Sequence, residues 1–213
     1  GLEAADGDRL INATTLLAEN KTDEARVILT ALSEEGVANY PVLARLRLAQ
    51  LDVATDPAKA VSGFDAVAND ASAPTHLRDM AAVRAAYILV DTGSLADVRG
   101  RVERLTSDGQ AQRYAAREAI GLAAWKSGDV ETARTFFSQL QDDLGTPGGI
   151  KQRAGLMIEL IEASAGPKPG TETSEPVPAS TGEAADVTPP AATAPAPAAE
   201  PASAPTPSNQ PPA

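Results

Sequence analysis

Few side chains in this chain could do chemistry. His76 is the single histidine, and there is no cysteine. It falls two residues after Pro74, in the first turn of an expected helix, with Asp79 just beyond. A zinc site needs three or four nitrogen, sulfur or carboxylate donors. His76 has no second imidazole or thiolate to join, so it reads as a structural or exposed side chain. Asp6-Gly7-Asp8 looks like the opening of a calcium loop, but the downstream ligands and closing glutamate do not follow. Glu34-Glu35 and Asp142-Asp143 are adjacent pairs. Neighbours on a helix point about 100° apart, so neither pair makes an acid/base dyad. No nucleophile elbow, phosphate-cradling glycine loop or H-E-x-x-H sequence occurs. This inventory predicts no enzyme, no metal and no cofactor, and leaves protein surface as the carrier of function.

Composition divides the 213 residues in two. From Gly166 onward the chain holds 13 of its 17 prolines, no aromatic residue, and Val177 and Val187 as its only large aliphatics. Such a segment cannot bury enough apolar area to offset its ordering entropy. Residues 166–213 therefore read as a disordered, Pro/Ala-rich acidic tail, and residues 1–165 as one folded domain. That domain carries 24 acidic against 17 basic residues, a balance of −7, which argues against nucleic acid or an anionic membrane surface as partner. No apolar run approaches the ~20 residues that span a bilayer.

The domain repeats. Ala133 is followed by Phe137 and Leu140. The same small-large-large spacing recurs at Ala25, Leu29 and Leu32, at Ala60, Phe64 and Val67, and at Val98, Val102 and Leu105. A turn position stands five residues before each landmark: Asn20, Thr55, Gly93 and Gly128. Asn and Gly tolerate positive φ there. Asp23, Asp56, Ser94 and Asp129 open the following helices, and Pro57 suits a first helical turn. Intervals of 35 to 38 residues built from helix pairs follow the tetratricopeptide pattern. Its marks are clearest in the fourth copy, with Gly121, Gly128, Ala133 and Phe137 at the family's spacing. The third copy departs from it with Val98 for alanine, and Arg117 takes the place of the usual first-helix Trp. One further helix from about Pro147 to Ala163, apolar at Ile150, Leu156, Met157, Leu160 and Ile161, would cap the stack. The expected fold is all-α: a tetratricopeptide-like superhelix of about four helical hairpins plus a C-terminal capping helix.

In tetratricopeptide arrays the first helix of each pair lines a concave groove. Carried over by spacing, that groove would hold Leu10, Thr14 and Leu17; Arg45, Ala49 and Asp52; Val83, Tyr87 and Val90; and Glu118, Leu122 and Trp125. Trp125, Leu122 and Tyr87 would supply apolar contacts, and Arg45, Asp52 and Glu118 polar selectivity. Trp125 and Tyr87 stand out because aromatics are scarce here and serve as binding anchors; packing between repeats is the other reading of both.

Three segments carry a closer resemblance: LLAENKTDEARVILTALSEEGVANYPVLARLRLAQL at 16–51, LRDMAAVRAAYILVDTGSLADVRGRVERL at 77–105, and REAIGLAAWKSGDVETARTFFSQLQDD at 117–143. Together they resemble the periplasmic portion of the tetratricopeptide-like ancillary SecYEG translocon subunit family, in its alanine-rich alphaproteobacterial form. The tail is outside the match. The resemblance implies a single-pass anchor upstream of Gly1 and a location on the periplasmic side of the bacterial inner membrane. It also implies a non-catalytic role beside the Sec translocon, with translocon subunits, a periplasmic chaperone and nascent chains as partners. A scaffold for one dedicated partner in envelope biogenesis is the alternative.

Overall fold

The computed structural model describes residues 1–165; the expected tail, 166–213, lies outside the described residues. Nine α-helices follow one another: α1 Leu2–Ala18, α2 Thr22–Glu35, α3 Tyr40–Asp52, α4 Pro57–Ala68, α5 Thr75–Thr92, α6 Leu95–Val102, α7 Arg113–Ser127, α8 Val130–Asp142 and α9 Gly148–Ser164. A 3-10 turn, Glu103–Leu105, extends α6. There is no strand among the described residues. Each helix packs on its neighbour in sequence, and α5 also packs directly on α7. The architecture is all-α and repeat-like, with helices in adjacent pairs. None of these helices is long and apolar enough to cross a membrane.

Local sequence sets the pair boundaries. Asp56, Ser94 and Asp129 are N-caps whose side chains accept from the backbone N–H of Lys59, Asp97 and Thr132. Ser94 and Asp97 form a reciprocal capping box, so two otherwise unsatisfied donors are paired at one helix start. Asp23 lies within the first turn of α2, where Lys21 holds the cap position. Of the four expected turn residues, Asn20 and Gly128 are left-handed, at φ 61° and 81°. Gly93 instead has φ −119°, and Thr55 is not left-handed. Only the first and fourth pairs therefore turn as expected.

The twelve landmark residues of the second helices, from Ala25 to Leu140, all have no solvent exposure. Each second helix thus buries one face. Burying a side chain such as Phe64 or Phe137 contributes about 1.5–3 kcal/mol. Gly121 of α7 lets α8 approach: a Cβ there would lie 2.9 Å from Phe137 Cζ. The internal first helices bury two faces instead. In α3, Ala44 joins the core shared with α1 and α2, while Val42, Leu46 and Ala49 join the core shared with α4 and α5. Arg117, at the position of the expected first-helix Trp, is buried too. It donates to Thr106 O at 2.8 Å and pairs with Asp108 at 2.7 Å and Asp143 at 3.2 Å, tying the loops on either side of α7 and α8.

The closing helix α9 covers α8 with Ala154 and Ile161, helped by Ile150, Met157 and Ile158. Leu156 and Leu160, expected on that same buried face, are 58% and 47% exposed. Along a helix of 3.6 residues per turn they fall to one side of the buried stripe. The helix that caps the stack therefore carries an outward apolar edge.

Candidate protein-binding groove

Two shallow concavities lie on first-type helices. One, of about 440 Å³, is lined by Tyr87 of α5, Glu118 and Leu122 of α7, and Arg153, Leu156 and Met157 of α9. Three of the six expected site residues meet here. Glu118 is only 2% exposed, and a buried carboxylate is costly unless its oxygens are paired. Arg153 supplies that pairing, with Nε on Oε1 at 2.6 Å and Nη2 on Oε2 at 3.0 Å. The Tyr87 hydroxyl donates to Oε2 at 2.5 Å. Burial first, and then this hydrogen bond to Glu118, push the Tyr87 phenol above its ordinary pKa. Hydrogen bonds to the Glu118 carboxylate likewise hold the Arg153 guanidinium above its usual value. The network locks α5, α7 and α9 together and leaves Leu122, Leu156 and Met157 as the apolar walls.

The other expected residues do not join them. Trp125 is half-buried against the α7–α8–α9 core of Ala124, Phe137, Leu140, Ala154 and Ile161, and is not among the residues lining the concavity. Its neighbour Lys126 is exposed, yet its ammonium donates to the carbonyls of Val90, at 3.0 Å, and of Asp91 at the end of α5. Arg45 donates to Asp70 Oδ2 at 3.0 Å and to Pro41 O at 3.3 Å. Asp52 is buried and pairs with Arg26 of α2 at 3.0 Å and Lys59 of α4 at 3.2 Å. These two charges hold the fold together.

The reason is a register shift. The turn before α4 is Val53–Asp56, two residues longer than Gly128–Asp129 before α8. Counting back from the second-helix landmarks with one fixed turn therefore falls two residues short on α3, about 200° of helix. The face of α3 that opens outward carries Leu43, Arg47 and Gln50 in place of Arg45, Ala49 and Asp52. With Leu10 of α1, Leu46 of α3, and Met80 and Arg84 of α5, they line the second concavity, of about 340 Å³. The contribution of α9 had a readable signal. Met157 stands 35 residues after Leu122, itself 35 after Tyr87, and Arg153 stands 35 after Glu118. Extending the groove positions onto this last first-type helix would have placed both.

Among the described residues, the carboxylate, phenol and guanidinium of the first concavity are engaged with one another. His76 is exposed, and no group of three or more potential metal ligands gathers among the described residues. No protein-family model, curated protein or solved structure matches the chain.

Proposed function

We propose that the chain is a non-catalytic protein-binding repeat domain, a tetratricopeptide-like superhelix whose first-helix face holds segments of other proteins. One observation carries this reading: Leu122, Leu156 and Met157 form an apolar concavity on a frame fixed by Glu118, Tyr87 and Arg153, and Leu156 is left 58% exposed. Apolar side chains held open on rigid helices suit weak, reversible capture of an extended or helical segment. By its resemblance to the ancillary translocon subunits, the domain would work on the periplasmic side of the inner membrane, beside the Sec translocon. There it would help a periplasmic chaperone receive emerging chains, with an anchor upstream of Gly1 holding it in place.

Site-specific photo-crosslinking in cells expressing the full chain tests this. The probe replaces Leu156, and the control replaces Leu144, which is 95% exposed and outside the concavity. Adducts at 156 but not at 144 with translocon subunits, a chaperone or many nascent chains are the expected result. One discrete adduct with an unrelated envelope protein would favour the dedicated scaffold. No adduct at 156 overturns the binding reading.

A further inference from the structure

The second concavity differs from the first in its charge. The chain is acidic overall, at −11, and its arginines are mostly neutralised. Nine of the 13 have a carboxylate within salt-bridge distance among the described residues. The four without one are Arg47, Arg78, Arg84 and Arg134. Two of those four, Arg47 and Arg84, line this one concavity, and no acidic side chain lines it with them. Arg84 is held in place: it donates to Gln50 Oε1 at 2.6 Å, and its guanidinium stands 6.0 Å from the centre of the Phe64 ring. Gln50 is one turn along α3 from Arg47, so the two guanidiniums border the same stretch of groove. Leu10, Leu43, Leu46 and Met80 are the apolar part of the same lining.

Guanidinium groups lacking a carboxylate, on apolar walls in a protein whose other charges are mostly negative, complement one kind of surface. We infer that this end of the first-helix face binds an apolar polypeptide segment carrying acidic side chains, with Arg47 and Arg84 taking the carboxylates and the leucines and Met80 taking the apolar side chains. This rests on the protein-binding reading above and narrows its ligand class. A segment rich in lysine would be disfavoured here by like-charge repulsion.

Fluorescence anisotropy with the full chain tests the inference. One labelled peptide carries two glutamates a helical turn apart among leucines; its twin carries glutamine at both positions. The acidic peptide should bind at least about fivefold tighter than its twin, with an advantage that shrinks as salt rises. Arg47→Gln, at an exposed residue with no partner, should erase most of that advantage, and the double variant with Arg84→Gln all of it. The glutamine twin should weaken less than the acidic peptide on either variant, so that the two affinities converge. Arg134→Gln, on α8, should leave both unchanged. Equal binding of the two peptides, or an equal loss on Arg134→Gln, overturns the charge assignment. If both peptides then still weaken on Leu156→Asp, the protein-binding reading survives. Displacement of the acidic peptide by laurate at equal concentration would make this a fatty-acid site and also overturns the inference. If neither peptide binds, the inference fails, and crosslinking at Leu156 decides the broader reading separately.

Discussion

The two ends of the first-helix face use similar parts to different ends. Around α5, α7 and α9, the guanidinium of Arg153 is engaged by buried Glu118, and apolar side chains form the remaining surface. Around α1, α3 and α5, Arg47 and Arg84 have no carboxylate, and the acids of that region bind other arginines. At the first end charge serves the fold and the open surface is apolar. At the second, charge itself is part of the open surface. A polar residue on a binding face thus cannot be assigned to recognition until its partners within the fold are known.

Both ends should rest on equally packed cores. Phe137→Ala and Phe64→Ala, each removing a fully buried ring, are expected to cost about 3–5 kcal/mol in urea unfolding. A cost below about 1 kcal/mol for Phe64→Ala would break the comparison, because the charged end would then be loosely built. A smaller effect separates the two arginines directly. Arg153→Ala strips the buried Glu118 of its bidentate partner and should cost about 1–3 kcal/mol, the partner's own exposure keeping the loss from being larger. Arg47→Ala should stay within about 0.5 kcal/mol of wild type. Equal losses would mean that Arg47 too is structural.

Smaller than the Arg153 loss is that at the cap between α5 and α6, where Ser94→Ala should cost about 0.5–2 kcal/mol by leaving the Asp97 N–H unpaired. Acid should act through the same kind of contact. Hydrogen bonds from Thr132 hold the Asp129 carboxyl below its ordinary value, and the Gly145 N–H, followed by Arg113, does so for Asp143. Both groups have folded-state pKa values under their unfolded ones. Their contribution is full above the usual carboxylate range and is lost as pH falls through about 4 and below. Unfolding midpoints of wild type should therefore drop over that window, with a shallower drop in Asp129→Ala.

Much of the fold was legible because the second helices face one way. Ala133, Phe137 and Leu140 repeat a spacing that only a single buried stripe requires, and every copy of it is buried. The lining of the candidate concavity was half legible. Tyr87, Glu118 and Leu122 were placed together on the α5 and α7 side, because the tight turn at Gly128–Asp129 keeps first and second helices in a fixed register. Arg45 and Asp52 were misplaced because α3 buries two faces and follows no single stripe, while a longer turn at Val53–Asp56 rotated it. For Trp125 the sequence left groove and packing both open, and the structure packs it on the α7–α8–α9 core.

By itself the sequence determined the helices, the caps at Asp56, Ser94 and Asp129, and the buried stripe of each second helix, because those follow from interactions within one or two turns of chain. Only the tertiary structure decided which arginine meets which carboxylate. Arg153 reaches Glu118 from 35 residues away, and Arg26 and Lys59 converge on Asp52 from different helices. Such pairings depend on how helices lie against one another, and a charge's role is fixed by whether a partner is within reach once they do.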